Sequence, residues 1–343
     1  MKYVIYFLLI LLLLVHFFTT RPAYHEGDKV RITSQVTSLT KLADLRIKFP
    51  AFPEVHYGDF VVVEGLVANG ELKDVVLKDL KVSNNIFLTL RSRILDFYNK
   101  SLPPLDSQLT AGIVIGAKSN LDSSFYSKLK NTGTSHVVVA SGMNVTLTAG
   151  FIMAITLKFI KRRRAILITL LAILIYCYIA GFEAPIVRAA IMSFLAFTAQ
   201  IVGRVANTLR ILFLTAFVMI FIVPSWLTDI GFILSFSTTL SMILFEKKIN
   251  RLIHSVPNII RESLSTSISA QIMAAPIIFF TFGRFNPFSP IINAFVLWTV
   301  TPIMVIGGIA SIVGIIFQPL GKAILLLIYP LTQWFIFVIN LFG

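Results

Sequence analysis

The sequence predicts a polytopic α-helical membrane protein carrying a small β domain. Three observations predict it. The 343 residues are 56% hydrophobic and only 13% charged, with a mean hydropathy of +0.85, and a soluble chain of this size does not need so many apolar residues. Apolar segments follow one another from residue 135 to the end. Between the first apolar run and those segments, residues 24–85 change character to short runs rich in Val, Ile, Leu and Phe with partial alternation.

The amino terminus, MKYVIYFLLILLLLVHFF, is one lysine followed by an apolar run. Its length suits a retained transmembrane helix over residues 1–20, and Thr19-Thr20-Arg21-Pro22 is a poor cleavage site. A removed signal peptide is the alternative. In the β domain, strands are expected at Lys29–Ser38, Leu45–Phe49, Phe60–Val67 and Leu72–Val82, with a hairpin closed at Asn69-Gly70. About five short strands in this length fit a small oligonucleotide/oligosaccharide-binding (OB)-like barrel, or an open sheet.

Residues 86–134 are expected to form amphipathic or interfacial pieces. Ile86–Tyr98 is a helix with Arg91 and Arg93 on its polar side, Leu109–Gly116 is apolar but too short to span, and Asp122–Asn131 is a short helix. Residues 135–343 form the membrane domain. Spans are expected near 136–158, 165–181, 185–203, 208–224, 229–245, 265–283, 289–315 and 323–341, giving about 8–10 membrane segments with the first run and any re-entrant pieces. The 289–315 segment is long and holds Pro290 and Pro302, which predicts a break or a re-entrant loop.

The formal charge of +14 is decided by its placement. Residues 24–85 hold eight Lys or Arg against nine Asp or Glu, so the excess lies around the spans. With a cytoplasmic amino terminus the inner loops are Lys158–Arg164, Gly203–Arg210, Glu246–Arg261 and Gln318–Lys322, and the outer connections hold only Arg284. That asymmetry follows the positive-inside rule and puts the β domain outside the cytoplasmic membrane. The cluster Lys161, Arg162, Arg163 and Arg164 is first a topology signal, and second an inner mouth that draws polyanions or docks a motor.

Catalytic and metal readings find little support. Cys177 is the single cysteine, and the histidines at 16, 25, 56, 136 and 254 are scattered without metal-ligand spacing. No phosphate-binding glycine loop appears. His136 and Ser141 stand five residues apart, about 140° around a helix, too far for a nucleophile–base pair. The expectation is no enzyme, no metal and no cofactor.

The polar stretch itself, SHVVVASGMNVTLTAG, places Ser141, Asn144 and Thr148 on one helical face, with Gly142 available to loosen the helix. Two readings stay open on residue types alone: close helix packing with interhelical hydrogen bonds, or the wall of a polar path. Arg188 is either an interfacial arginine near Glu183 or a cation meeting phosphates, Asp229 is expected to cap a helix, and Gln271 is undecided. Tyr24, Phe49, Phe52, His56, Tyr57 and Phe60 are candidate stacking surfaces for bases, in a domain that lacks the basic groove of a strong DNA binder.

Gly133 to Gly150, GTSHVVVASGMNVTLTAG, resembles the signature segment of the ComEC-type competence family, the DNA-internalisation channels of naturally transformable bacteria. Leu109–Gly116, Gly181–Met192 with its Pro-x-x-Arg-Ala, Asp229–Phe236 with Gly-Phe-x-Leu-Ser-Phe, and Gln271–Asn293 resemble further family segments in order. The resemblance departs at Met143-Asn144, where the family has an aliphatic residue and a histidine. It also lacks the metallo-β-lactamase-like domain of many members, so no nuclease activity is expected of this chain.

What the resemblance implies is a channel in the inner, cytoplasmic membrane that passes single-stranded DNA during natural transformation. The candidate path residues are His136, Ser141, Gly142, Asn144, Thr148, Arg188 and Gln271. The expected partners are single-stranded DNA, the bilayer, an outer DNA receptor, a separate nuclease, and a cytosolic motor or single-strand-binding proteins. The alternative is a competence-type fold reused as a transporter of another solute or as a membrane scaffold.

Overall fold

The structure is a computed structural model that describes residues 19, 25–36, 41–42, 45–49, 55, 58–81, 85–117, 121–138, 141–205, 207–283 and 286–343. The chain divides into two units, residues 1–90 with 217–227, and residues 91–216 with 228–343. The expected amino-terminal span lies outside the described residues, apart from Thr19.

The first unit is built on a five-stranded sheet of order β1-β4-β5-β3-β2. Its strands are β1 (Lys29–Gln35), β2 (Lys41–Leu42), β3 (Leu45–Ile47), β4 (Phe60–Ala68) and β5 (Glu71–Lys81). Alternation fixes the register, because Val61, Val63 and Val67 of β4 turn inward onto Ile32, Leu42, Leu45, Ile47 and Leu72. The β4–β5 hairpin turns at Asn69 and Gly70, whose φ angles of 53° and 71° are the paired left-handed conformations of a two-residue hairpin turn. A register shift between Glu64 and Leu66 faces Asp74, at φ 51°, and bends the long β5.

All pairings are antiparallel except β3 with β5. The described sheet is open, with β1 and β2 as its edges, so the expected barrel is not reached. The two short strands, two and three residues long, do not carry β2 round to β1.

The second unit is helical. Its elements run α1 (Ile86–Ser101), α2 (Pro104–Ile115), α3 (Ser123–Asn131), α4 (Ser135–Val138), α5 (Gly142–Thr156), α6 (Arg162–Ala180), α7 (Ala184–Ile201), α8 (Thr208–Ile222), α9 (Ile230–Leu252), α10 (Asn258–Phe282), α11 (Ser289–Ile316), α12 (Gln318–Leu325) and α13 (Tyr329–Phe342). The first residues of α1 and the end of α8 belong to the first unit. Among the described residues, α6, α7, α9, α10 and α11 are long and apolar enough to cross a membrane, and the bent pair α12–α13 makes a sixth crossing if counted as one. Length, composition and this number of apolar helices describe a multi-pass membrane protein.

Four expectations change. The 136–158 segment is not one helix: α4 ends at Val138, Ser141 is extended (φ −119°, ψ 163°), and α5 has 15 residues, about 22 Å at helical rise. The 208–224 segment likewise yields only the 15-residue α8. Third, α11 runs unbroken for 28 residues. Pro290 sits in its first turn, where the missing N–H has no helical partner to lose, and Pro302 is absorbed within the helix. The break falls instead between α12 and α13, bent by 46° where Pro330 in the first turn of α13 cannot continue α12. Fourth, α2 is no surface helix. Every residue from Leu109 to Ile115 is buried, as a short helix without a polar face must be if its ends are to avoid lipid.

Capping follows the sequence. Asp122 accepts from the backbone N–H groups of Ser124 and Phe125 at the start of α3, and the Ser124 hydroxyl, donating at 2.6 Å, holds its carboxyl below the usual range. Asp229 accepts from the Phe232 N–H at 3.0 Å and caps α9 as expected.

The sheet core yields a prediction. Leu72, 4% exposed, fills the inner face, so Leu72→Ala should cost about 2–5 kcal/mol. Phe60→Ala, at a 49% exposed position, should cost less than about 0.5 kcal/mol. Limited proteolysis of the full chain in membranes should cut residues 25–81 faster in the first variant and not in the second.

Candidate functional site

The quoted sequence segments meet around the break that precedes α5. A side chain on Gly112 of α2 would run into Val138, at 2.6 Å from Cγ1 and 2.8 Å from the carbonyl oxygen, so α2 and the end of α4 touch backbone to backbone. Across the break, the Asn144 side chain is fully buried and donates Nδ2 to the Ile113 carbonyl oxygen at 2.9 Å. The Ser141 hydroxyl donates to Asn144 Oδ1 at 3.2 Å. Asn144 thereby ties the signature segment to the Leu109–Gly116 segment. The packing reading applies to this residue.

Arg188 makes the second junction. It lies in α7, half-buried, and its Nη1 donates both to the Ser235 carbonyl oxygen and to Thr239 Oγ1 of α9. Its Nε is buried without a partner. The guanidinium carbon stands 6.0 Å from the centre of the Phe236 ring, which itself packs on Phe232 at 4.3 Å. The other amino group lies over Gly142: a Cβ there would come to 2.6 Å from Nη2, 3.3 Å from Ala189 Cβ and 3.5 Å from the Pro185 carbonyl oxygen. Glycine at the start of α5 leaves the guanidinium its room, and a larger residue would make it shift. The first N–H groups of α5 carry partial positive charge, so a helix amino terminus and a guanidinium share one place.

The remaining candidates are more dispersed. His136 is exposed, with Nδ1 3.0 Å from the Gly133 carbonyl oxygen. Thr148 and Gln271 are half-buried, and neither belongs to the Gly142–Arg188 contact. Of Ser141, Asn144 and Thr148, the first two are joined by the 3.2 Å hydrogen bond at the start of α5, Asn144 turns its amide to α2, and Thr148 lies one turn further along the helix. Lys161, Arg162, Arg163 and Arg164 are all exposed, and Arg162 donates to Gln200 Oε1 at 3.0 Å.

In the first unit, Phe49 packs against the sheet core and Phe60 stays exposed, while Tyr24, Phe52, His56 and Tyr57 lie outside the described residues. Glu64 stands 3.6 Å from Lys78 Nζ and 4.0 Å from Arg31 Nε, so cations and carboxylates alternate on that surface.

Three further residues hold the junctions together, none of them a candidate site residue from the sequence. Arg91, expected on a polar face, is half-buried and donates to the carbonyl oxygens of Ile115, at 2.7 Å, and of Ile179, serving the carboxyl ends of α2 and α6 together. Ser235 and Thr239 receive Arg188; Ser235 lay within a quoted segment, and Thr239 follows one helical turn later.

Asn144 supplies the test of this packing. Asn144→Ala leaves the Ile113 carbonyl oxygen without its side-chain donor and should destabilise the solubilised protein by about 1–3 kcal/mol. Thr148→Ala should shift thermal unfolding by less than about 0.5 kcal/mol equivalent.

A family model described as Competence protein matches residues 113–343. ComE operon protein 3 of Bacillus subtilis (strain 168) is 25% identical over 226 residues, covering 66% of this chain and 29% of that protein. The chain therefore aligns with less than a third of that relative's length. No solved structure matches. The matched region includes the Asn144 contact with Ile113, the Gly142–Arg188 contact and its partners on α9. With more than half of its length under the family model, this chain belongs to the competence protein family.

Proposed function

We propose that this chain takes part in DNA uptake during natural transformation, as a channel that passes single-stranded DNA across the cytoplasmic membrane. The observation that carries the reading is the Arg188 guanidinium set over Gly142 at the amino end of α5, beside a break in the helical backbone. A flexible polyanion needs positive potential and exposed backbone donors along its route rather than one tight site. Helix amino termini and arginines supply both.

On this reading Arg188 divides its donors. Two bonds from Nη1 anchor it to α9, and Nη2, over Gly142 at the amino end of α5, is the donor set toward a passing phosphate. Asn144 keeps the break from closing into a continuous helix by holding α5 to α2. The basic loops face the cytoplasm and the β unit the other side, in accord with the charge asymmetry of the sequence. On this reading an outer DNA receptor, a nuclease and a cytosolic motor or single-strand-binding proteins are its partners.

A deletion strain tests this directly. Transformation should fall to background while binding of labelled duplex at the cell surface persists, and the intact gene should restore it. Arg188→Met and Arg188→Lys should both lower transformation at unchanged protein level in the membrane, since an ammonium taking the place of Nη1 at Ser235 and Thr239 has no second nitrogen to set over Gly142. Unchanged transformation in a competent deletion strain without a second copy would reject the channel reading and favour a transporter of another solute.

A further inference from the structure

A cavity of about 360 Å³ opens where α2, α3 and the end of α13 meet, within the usual size of small-molecule sites, about 300–1,000 Å³. The channel reading makes no use of it. Two opposite charges line it, the Asp122 carboxylate and the Lys128 ammonium. No ion pair among the described residues joins the two.

The polar groups around the opening hold one another in place and keep part of their bonding capacity. Gln108 Oε1 accepts the Asp122 N–H at 3.0 Å, and Asn340 Oδ1 accepts from Lys128 Nζ at 2.9 Å. Each amide is oriented through its oxygen, and neither amide nitrogen has a partner among the described residues. An ammonium has three hydrogens, so Lys128 keeps two after serving Asn340. On the acceptor side, the bonds that cap α3, from the Ser124 hydroxyl, the Ser124 N–H and the Phe125 N–H, all land on Asp122 Oδ2. Asp122 Oδ1 has no part in the cap. The Ser124 hydroxyl holds this carboxyl below the usual range, so it is ionised at neutral pH.

Two kinds of surface border the opening. The exposed residues of α3 are polar, namely Ser123, Ser124, Ser127, Lys130 and Asn131, and they face water. On α13, Phe337, Leu341 and Phe342 are exposed and apolar around Asn340, and they face lipid. A cavity between a wet surface and a lipid-facing one lies at the level of the headgroups. With the basic loops on the cytoplasmic side, this end of α13 belongs to the outer leaflet. A lipid whose chains run along Phe337 and Leu341 brings its headgroup to Asn340.

The charges then choose the headgroup. A purely anionic group meets the Asp122 carboxylate, and a purely cationic one meets Lys128. The complement is a zwitterion with its anion next to the chains and N–H donors at its tip. We propose that this cavity seats the phosphoethanolamine headgroup of a membrane lipid, the phosphate accepting from Lys128, Gln108 and Asn340 and the ammonium donating to Asp122 Oδ1. A glycerol headgroup brings no cation to Asp122, and the methyl groups of choline bring no N–H. The site does not depend on what the protein transports.

Lipid retention by the purified full chain tests it, read by native mass spectrometry after exchange into detergent. The detergent carries equal amounts of phosphatidylethanolamine, phosphatidylcholine and phosphatidylglycerol with the same chains. Wild type should retain the ethanolamine lipid about three- to fivefold over either competitor, the worth of an exposed ion pair. Asp122→Asn keeps a capping oxygen and removes the charge, so it should lose the preference over phosphatidylglycerol. Lys128→Gln should lose retention of the ethanolamine lipid. Equal retention of the three lipids by wild type, or an unchanged preference in Asp122→Asn, overturns the proposal. Glycerophosphoethanolamine, the headgroup without chains, should compete weakly; competition equal to that of the lipid assigns the cavity to a soluble zwitterion and overturns the lipid reading. Should Lys128→Gln not reach the membrane, wild type against Asp122→Asn decides alone.

Discussion

The helical unit turns on one constraint, the seating of the Arg188 guanidinium between α5, α7 and α9. A half-buried arginine among apolar helices is costly unless its donors are occupied. The Ser235 carbonyl and Thr239 hydroxyl occupy them from α9, and the flat face of Phe236 lies alongside. On the other side a side chain at position 142 would meet the flexible end of Arg188 at 2.6 Å, so the guanidinium would have to swing aside to admit it. One residue thus bears on two others: a glycine where α5 starts, which leaves the guanidinium its room, and a hydroxyl at 239 that accepts from it.

Two kinds of polarity coexist in the signature segment. Asn144 is spent on packing, since its amide closes a contact with a backbone oxygen of α2 and no solvent reaches it. Ser141 and Gly142 are different, because they lie at a break where backbone groups are not all held within a helix. Residue type alone does not separate these roles. An amide and a hydroxyl suit either, and what divides them is the position of the break relative to each.

Much of the fold was legible in the sequence. Strands β1, β4 and β5, the Asn69-Gly70 turn and the Asp229 cap rest on local rules that tertiary contacts did not overturn. The failures are also physical. A hydropathy window sees apolar residues at 136–158 but not a break, since hydropathy does not report the extended backbone at Ser141. Pro302 was a poor guide because a membrane helix absorbs a proline, whereas Pro330 stands at a real break. Arg91 was misplaced because periodicity reports which side of a helix is polar, not that two carbonyl ends lie there to receive it. Arg188 and Gly142 were both picked out singly. Their contact is a property of the fold.

The most direct test of this junction is a disulfide. A Cβ built on Gly142 would lie 3.3 Å from the Ala189 Cβ, close to the separation that a disulfide spans. Cys177 is the single native cysteine, so Cys177→Ser gives a clean background. In that background, Gly142→Cys with Ala189→Cys should cross-link under mild oxidation in native membranes, and Gly150→Cys with Ala189→Cys should not. Absence of the 142–189 cross-link in protein that reaches the membrane at the wild-type level would contradict the junction, and with it the placement of Arg188.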